Sequence, residues 1–393
     1  MAFGLSSFSL LGQIPAKVYS VDEVLSNYVY VFYAAFIVSF IFTPIVRAIA
    51  LYYGIVDRPD RLRKVHSVPI AYLGGIAVFL GWLCGLVVSQ YLTLHRLDPG
   101  WPTPHPVVRF SIVMGALIIV LLGLWDDVLG LKPWMKIGGQ VFAALCLLAD
   151  GIGIQSANAI LNVSVGRVVG FIFGPGHELP QWLVISASVL FVIAIVVGCC
   201  NASNLMDGLD GLCGGVTAII AFSFLFVSIH LACVGNGLNA NWDALRVIMG
   251  LALLGAVLGF VPFNFNPASI FMGDTGSMFL GFVCATMIIT MAREQSKWLL
   301  ASMVMFALPI LDTSLAFARR WVNRRPLFSA DKQHFHHQLV ARGFTVKQTV
   351  LISYGLAIFF GLLGMVMLFI RTRYAGAIYL VVFGSIIVAA YKM

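Results

Sequence analysis

Charged side chains are scarce in this chain. Asp, Glu, Lys and Arg make up 10% of its 393 residues, against 60% hydrophobic and 13% aromatic residues. Soluble domains carry about 25% charge. With a mean hydropathy of +0.97, this composition excludes an ordinary soluble domain and describes a polytopic membrane protein. Zinc and disulfide spacings are absent too: Cys84, Cys146, Cys199, Cys200, Cys213, Cys233 and Cys284 lie in or beside apolar runs and read as small hydrophobes. The apolar runs lack the alternation of barrel strands. No internal repeat points to an inverted-repeat transporter, and no segment is large enough for a separate soluble domain. Met1–Ser20 has no basic stretch ahead of its weakly apolar run, which predicts no cleaved signal peptide. The expected organisation is one all-α integral membrane domain over residues 1–393, with an outer N-terminal segment at 1–26 and a basic loop at 319–347.

A bilayer is crossed by about twenty mostly apolar residues. By that measure about eleven spans are expected, at 27–53, 70–92, 107–125, 134–149, 181–199, 212–233, 246–262, 277–292, 298–318, 348–370 and 375–391. Helix is the default for each, because backbone facing lipid must satisfy its own hydrogen bonds. Lys and Arg crowd alternate connections: Arg58, Arg61, Arg63 and Lys64 in the first, Lys132 and Lys136 in the third, and Arg319, Arg320, Arg324, Arg325, Lys332, Arg342 and Lys347 in the ninth. Loops of the other parity hold Arg96, Arg167, Arg293, Lys297, Arg371 and Arg373. This bias predicts odd-numbered loops on the cytoplasmic side, the N-terminus outside and the C-terminus inside. The net charge of +8 then reads as loops held against anionic lipid headgroups and an attraction for an anionic substrate, with no nucleic acid implied.

Against this background the few carboxylates stand out, because ionisable groups beside membrane spans are costly to keep. Asp126 and Asp127 close the third span and Lys136 opens the fourth; adjacent carboxylates repel unless a cation offsets them. In Asn201-Ala202-Ser203-Asn204-Leu205-Met206-Asp207-Gly208-Leu209-Asp210-Gly211-Leu212, Asn and Asp recur at three-residue spacing on one face of a helical turn. Interleaved glycines let backbone approach a ligand closely. A capped Asx/Gly turn is the plainer explanation, but four such polar groups within twelve residues exceed what a turn needs.

Phe263-Asn264-Phe265-Asn266-Pro267-Ala268 and Phe271-Met272-Gly273-Asp274 precede the eighth span. Asn264 and Asp274 offer oxygen ligands or hydrogen bonds, and Phe271 offers a flat face on which a base can stack; a Pro/Asn turn with a capping Asp is the bland alternative. Gln333-His334-Phe335-His336-His337 lies in the most basic loop, where phosphate or sugar contacts suit it better than a metal. Every one of these motifs falls in an odd loop and therefore on the expected cytoplasmic face. Acidic groups there suit Mg²⁺ and, through it, phosphate.

Together the motifs resemble the polyprenyl-phosphate N-acetylhexosamine-1-phosphate transferase superfamily (glycosyltransferase family 4). Its signatures are an Asp-Asp pair, Asn-x-x-Asn-x-x-Asp-Gly-x-Asp-Gly-Leu, Phe-Met-Gly-Asp-x-Gly-Ser and a cytoplasmic His motif. All four occur here in order, from about the second span to the tenth. Asp331-Lys332-Gln333-His334-Phe335-His336-His337 followed by Arg342-Gly343-Phe344-Thr345 is similar to the bacterial undecaprenyl-phosphate N-acetylglucosaminyl-1-phosphate transferases. The peptidoglycan branch, the phospho-N-acetylmuramoyl-pentapeptide transferases, typically has three consecutive His, then Phe-Glu, and ten spans. That branch is the alternative.

The resemblance implies a reaction and its parts. The donor would be a UDP-N-acetylhexosamine, most simply UDP-GlcNAc, and the acceptor undecaprenyl phosphate in a bacterial cytoplasmic membrane, with the site on the cytoplasmic face. Asp274 would bind Mg²⁺, or Mn²⁺ in its place, with Asn204 a second ligand or a contact to the diphosphate. Asp126 and Asp127 would meet the lipid phosphate, one of them either forming a phosphoryl-enzyme or orienting the lipid, and Lys136 would hold phosphate charge. Phe271 would stack on uracil; Asn264, Asp207, Gly208 and Asp210 would line the nucleotide site. His336 and His337 would contact diphosphate or sugar, with His334 beside them. A homodimer is implied as well. A transporter would instead carry its ionisable residues near mid-membrane, and the Asp-Gly-x-x-Ala-Arg signature of CDP-alcohol phosphatidyltransferases is absent.

Overall fold

The computed structural model describes residues 20–26, 28–57, 69–95, 107–161, 180–234, 240–293, 296–322, 324, 334–371, 374–381 and 383–384. In chain order the elements are α1 Val21–Ser26, α2 Val29–Tyr52, β1 Val56–Asp57, β2 Ile70–Ala71, α3 Gly74–His95, α4 Phe110–Leu129, α5 Pro133–Ala149 and α6 Ile154–Leu161. They continue with α7 Gln181–Met206, α8 Leu212–Val234, α9 Ala240–Asn264, α10 Gly273–Met291, α11 Ser296–Met305, α12 Ala307–Val322, α13 Phe335–Ala341 and α14 Val346–Val366. Among the described residues, α2, α3, α4, α7, α8, α9, α10 and α14 are the eight helices long and apolar enough to cross a membrane. Counting α11 and α12 as one broken span, bent by 78°, makes nine. α5 is shorter, at 17 residues, and residues 382 and 385–391 of the expected 375–391 span lie outside the described residues. The chain is an all-α polytopic membrane protein.

Several boundaries differ from expectation for a common reason. The fifth expected span stops at 199, but α7 continues to Met206; the eighth starts at 277, but α10 starts at Gly273. The added turns are polar and lower the local hydropathy, yet they stay helical because their side chains bond inside the bundle. Asn201 Nδ2, for example, donates to Gln140 Oε1 at 2.7 Å and to the Val197 carbonyl at 2.8 Å. Three of the motif carboxylates are accordingly on helices, Asp126 and Asp127 in the last turn of α4 and Asp274 in the first turn of α10, while Asp207 and Asp210 lie in the turn between α7 and α8.

α10 is the axis of the bundle. Every one of its residues except Asp274 is buried, with α3, α4, α7 and α9 packed around it. Small residues permit this, since van der Waals contact between close backbones drives helix association in lipid. A Cβ on Gly75 of α3 would overlap the Gly276 nitrogen, and one on Gly123 of α4 would overlap Thr275 Cα. A small sheet fixes the chain entering α10. β1 and β2 pair antiparallel, Ala71 bridges to Ile270, and the Phe271 N–H donates to the Ala71 carbonyl at 2.8 Å. The Gly74 and Gly75 N–H groups then donate to the carbonyls of Phe271 and Met272, both at 2.9 Å.

Candidate active site

The end of α4 and the start of α5 meet the distant start of α10 at one end of the bundle. α4 ends on the Asp pair, α5 starts on Pro133 with Lys136 in its first turn, and α10 starts at Gly273. Lys136 Nζ is ion-paired to Asp126 Oδ2 and donates to Asp274 Oδ2 at 2.6 Å. Asp126 Oδ1 also accepts the Leu131 N–H at 2.6 Å, tightening the turn between α4 and α5. Asp274 Oδ1 accepts from Asn204 Nδ2 at 2.8 Å, and the same amide reaches Ser277 Oγ at 3.0 Å.

Asp127 does something different from its neighbour. Its Oδ1 accepts the Asp274 N–H at 2.8 Å; its Oδ2 accepts the Thr275 N–H at 3.0 Å and the Thr275 hydroxyl at 2.6 Å. The first N–H groups of a helix have no partner within it, so Asp127 caps α10 from another helix and places its charge at the favourable end of the α10 dipole. Gly273 makes room: its φ is +73°, and a Cβ there would overlap the Asp127 carboxylate.

The site holds more negative charge than Lys136 alone can balance. Asp207 follows α7, and burial together with the charges of Asp274, Asp127 and Asp210 pushes its carboxyl up to about 8. The ligands on offer are hard oxygens, a set that fits Mg²⁺. Among the described residues no three His, Cys, Asp or Glu side chains converge closely enough to hold a metal by themselves.

Two residues expected to line the nucleotide are engaged in holding the loops together. Asp210 Oδ2 accepts from Asn266 Nδ2 at 2.9 Å and from the Ala268 N–H at 3.1 Å. Asn264 is 2% exposed; its Oδ1 accepts the Gly211 N–H at 3.1 Å and its Nδ2 donates to the Ile270 carbonyl at 3.0 Å. They tie the 207–211 turn to the strand-like run before α10, leaving Gly208 exposed and Phe271 half-buried. The Phe271 ring lies 5.9 Å from that of Tyr72.

Phe271 is expected to carry base stacking, worth about 1–3 kcal/mol. Phe271→Leu should therefore raise the KM for a UDP-sugar roughly 5- to 150-fold, leave the KM for the lipid phosphate nearly unchanged, and be rescued by Phe271→Trp. Steady-state kinetics of the two variants check this; a tolerated Leu and a disruptive Trp would mark Phe271 as a packing residue instead.

The His motif reaches the same end of the bundle on α13. His334 Nδ1 lies 3.0 Å from Asp312 Oδ2, and Asp312 Oδ1 accepts the Phe335 N–H at 2.7 Å. His336 is 2% exposed, and its Nε2 is buried without a hydrogen-bond partner. It packs on Gly208 so closely that a Cβ there would overlap it. Burial and the neighbouring His337 hold His336 down to about 3, so its imidazole is neutral at pH 7. The ring of His337 sits 4.3 Å from that of His336. Asp331, Lys332 and Gln333 of the motif lie outside the described residues. Asp312 escaped the sequence reading, although the signal was there: it is the one charged residue in the apolar run 298–318, and an ionisable group inside a span calls for a function.

Residues 109–292 match the sequence profile of glycosyl transferase family 4. The match takes in Asp126, Asp127, Lys136, Asn204, Asp207 and Asp274 but stops short of the His motif. The chain is 32% identical over 352 residues to a Bacillus subtilis protein described as a probable undecaprenyl-phosphate N-acetylglucosaminyl 1-phosphate transferase, covering 88% of this chain and 86% of that one. It is 35% identical over 334 residues to the decaprenyl-phosphate N-acetylglucosaminephosphotransferase of Mycobacterium tuberculosis, covering 81% and 77%. To the phospho-N-acetylmuramoyl-pentapeptide-transferase of Desulforudis audaxviator it is 27% identical over 343 residues, covering 84% and 95%.

Proposed function

The chain belongs to glycosyl transferase family 4, and from that membership we propose that it transfers N-acetylglucosamine 1-phosphate from UDP-GlcNAc to undecaprenyl phosphate. A phosphate oxygen of the lipid attacks the sugar-bearing phosphorus, the bond to the UMP oxygen breaks, and undecaprenyl-diphospho-GlcNAc and UMP result. The observation that carries this reading is Lys136 held between Asp126 and Asp274 at one end of the bundle, with the His motif and the 207–211 turn beside it. N-acetylglucosamine is favoured over the peptidoglycan donor because the His stretch departs from three consecutive His, and because the two N-acetylglucosamine relatives match at higher identity.

The lipid phosphate has a second pKa near 6, so at pH 7 it is largely dianionic and needs no base. The difficulty is anion meeting anion. Lys136 offers an ammonium to the phosphates, and Asn204 sets the Asp274 carboxylate. Asp274 with Asn204 would hold Mg²⁺, which when bound would draw charge from the diphosphate and the leaving UMP. Both oxygens of Asp127 accept backbone or hydroxyl donors, and those of Asp126 are engaged by Leu131 and Lys136. That commitment blunts either carboxylate as a nucleophile and supports direct attack by the lipid.

UMP release by the purified protein, given undecaprenyl phosphate and a panel of UDP-sugars, tests the reading. UDP-GlcNAc should be the preferred donor; release only from UDP-N-acetylmuramoyl-pentapeptide, or from none, would overturn it.

We further place the site on the cytoplasmic face of a bacterial inner membrane, in keeping with the Lys and Arg bias. Gln181 and Lys347 are exposed at opposite ends of the bundle. An impermeant maleimide applied to intact cells should label Gln181→Cys and spare Lys347→Cys; the reverse pattern would invert the topology.

A further inference from the structure

We infer that Asp312 is a positioning residue of the proposed transfer, fixing His334 in one tautomer and docking the His motif against the Asp207–Gly208 turn. The inference rests on the function proposed above. Asp312 is 6% exposed and sits on α12, beyond the 78° break in the ninth span. That break turns the segment carrying Asp312 away from the line of α11. Its two oxygens are divided between the His334 ring and the Phe335 N–H, so one carboxylate holds the first residues of the motif to the bundle.

The consequence is chemical as well as mechanical. An ionised carboxylate can only accept. With Oδ2 3.0 Å from Nδ1, His334 therefore carries a proton on Nδ1. The His334 and His336 rings lie nearly parallel, 8° apart with centroids at 5.7 Å. Asp312 Oδ2 also lies 3.8 Å from His336 Nδ1, so the same carboxylate faces both rings. His336 Nε2, buried and without a hydrogen-bond partner, is then directed at Gly208, the exposed glycine of the turn. That nitrogen is buried against the turn, so the seat of His336 sets how closely the motif meets Gly208.

Asp312→Asn separates orientation from bulk. The amide can still accept the Phe335 N–H through its oxygen, but its NH₂ then faces His334 Nδ1 and forces the proton to Nε2. Spectra of the ¹⁵N-histidine-labelled protein in micelles, without substrate, should show one imidazole change from the Nδ1–H to the Nε2–H form. Turnover should fall about 10- to 100-fold, as when the partner that orients a ligating His is removed, while the KM for undecaprenyl phosphate stays within about 2-fold. Asp312→Glu should keep the Nδ1–H signature and recover most of the turnover.

An Asn variant with the new tautomer and normal turnover would overturn the inference, as would equal losses in Asn and Glu with the tautomer unchanged in both. Should the Asn variant fail to accumulate, Glu decides alone: retained signature with retained turnover supports the inference, and retained signature with lost turnover sinks it. Wild-type protein that transfers no sugar phosphate would defeat the proposed function instead, and the spectra would still report whether Asp312 sets the tautomer.

Discussion

Asp274→Asn is expected to lower turnover by about 10³-fold while the protein still inserts and folds. The side chain is the junction of the acidic centre: one oxygen takes Lys136 and the other takes Asn204. Asn has nearly the same shape but no charge, so the proposed metal would lose its strongest oxygen ligand and Lys136 would keep only Asp126. Losing a single group aimed at developing charge commonly costs 10²–10³ in rate, and here the proposed metal ligand and an ion-pair partner would go together. Sequence reading placed Asp274 in a loop. The structure puts it in the first turn of the most buried helix, yet folding should survive, because the α10 cap comes from Asp127 through backbone N–H groups that the substitution leaves in place. Turnover titrated against Mg²⁺, beside a thermal melt, checks both halves. Activity within about 5-fold of wild type at ordinary Mg²⁺ would remove Asp274 from the centre of the mechanism.

Asp127 should answer differently to Asn and to Ala, and that contrast separates a helix cap from a covalent nucleophile. Ala leaves the Asp274 N–H, the Thr275 N–H and the Thr275 hydroxyl without their acceptor. Loss of a cap costs about 0.5–2 kcal/mol of stability, and a shift of about 1 Å in the start of α10 would misplace Asp274 enough to cost about 10²-fold in turnover. Asn keeps one acceptor oxygen in the same place, so Asp127→Asn should melt closer to wild type and lose no more than about 10-fold. If Asp127 instead formed a phosphoryl-enzyme, Asn would be as inactive as Ala while melting normally. Turnover and melting temperature measured on both variants distinguish the two.

The class of protein was legible in the chain alone, and so were the candidate residues that the bundle gathers at one end. Hydrocarbon admits helices because backbone has no other way to satisfy its hydrogen bonds there, so apolar length by itself announces most spans. Where the reading stopped short, at 199 and 277, polar side chains on α7 and α10 had found partners inside the bundle, and hydropathy cannot register a partner. The motif residues were legible for a related reason: in a chain this poor in charge, each carboxylate at a span end carries information. Asp126, Asp127, Asn204, Asp207 and Asp274 could be picked out before anything was known of their neighbours.

Their division of labour could not. Asp126 and Asp127 are adjacent and chemically identical, yet one pairs with Lys136 and the other caps a helix through Asp274, 147 residues away from it. Asp210 and Asn264 stand in the motifs beside Asp207 and Phe271, but they bond to each other's loops and hold the site together. Asp312 and His334 belong to no shared spacing until the ninth span breaks and α13 folds back onto it. Composition and the helical repeat are local properties, and the chain displays them residue by residue. A hydrogen bond between distant segments depends on ångström-scale distances that packing alone sets, so which carboxylate holds charge, which caps and which orients a histidine was decided only in the folded bundle.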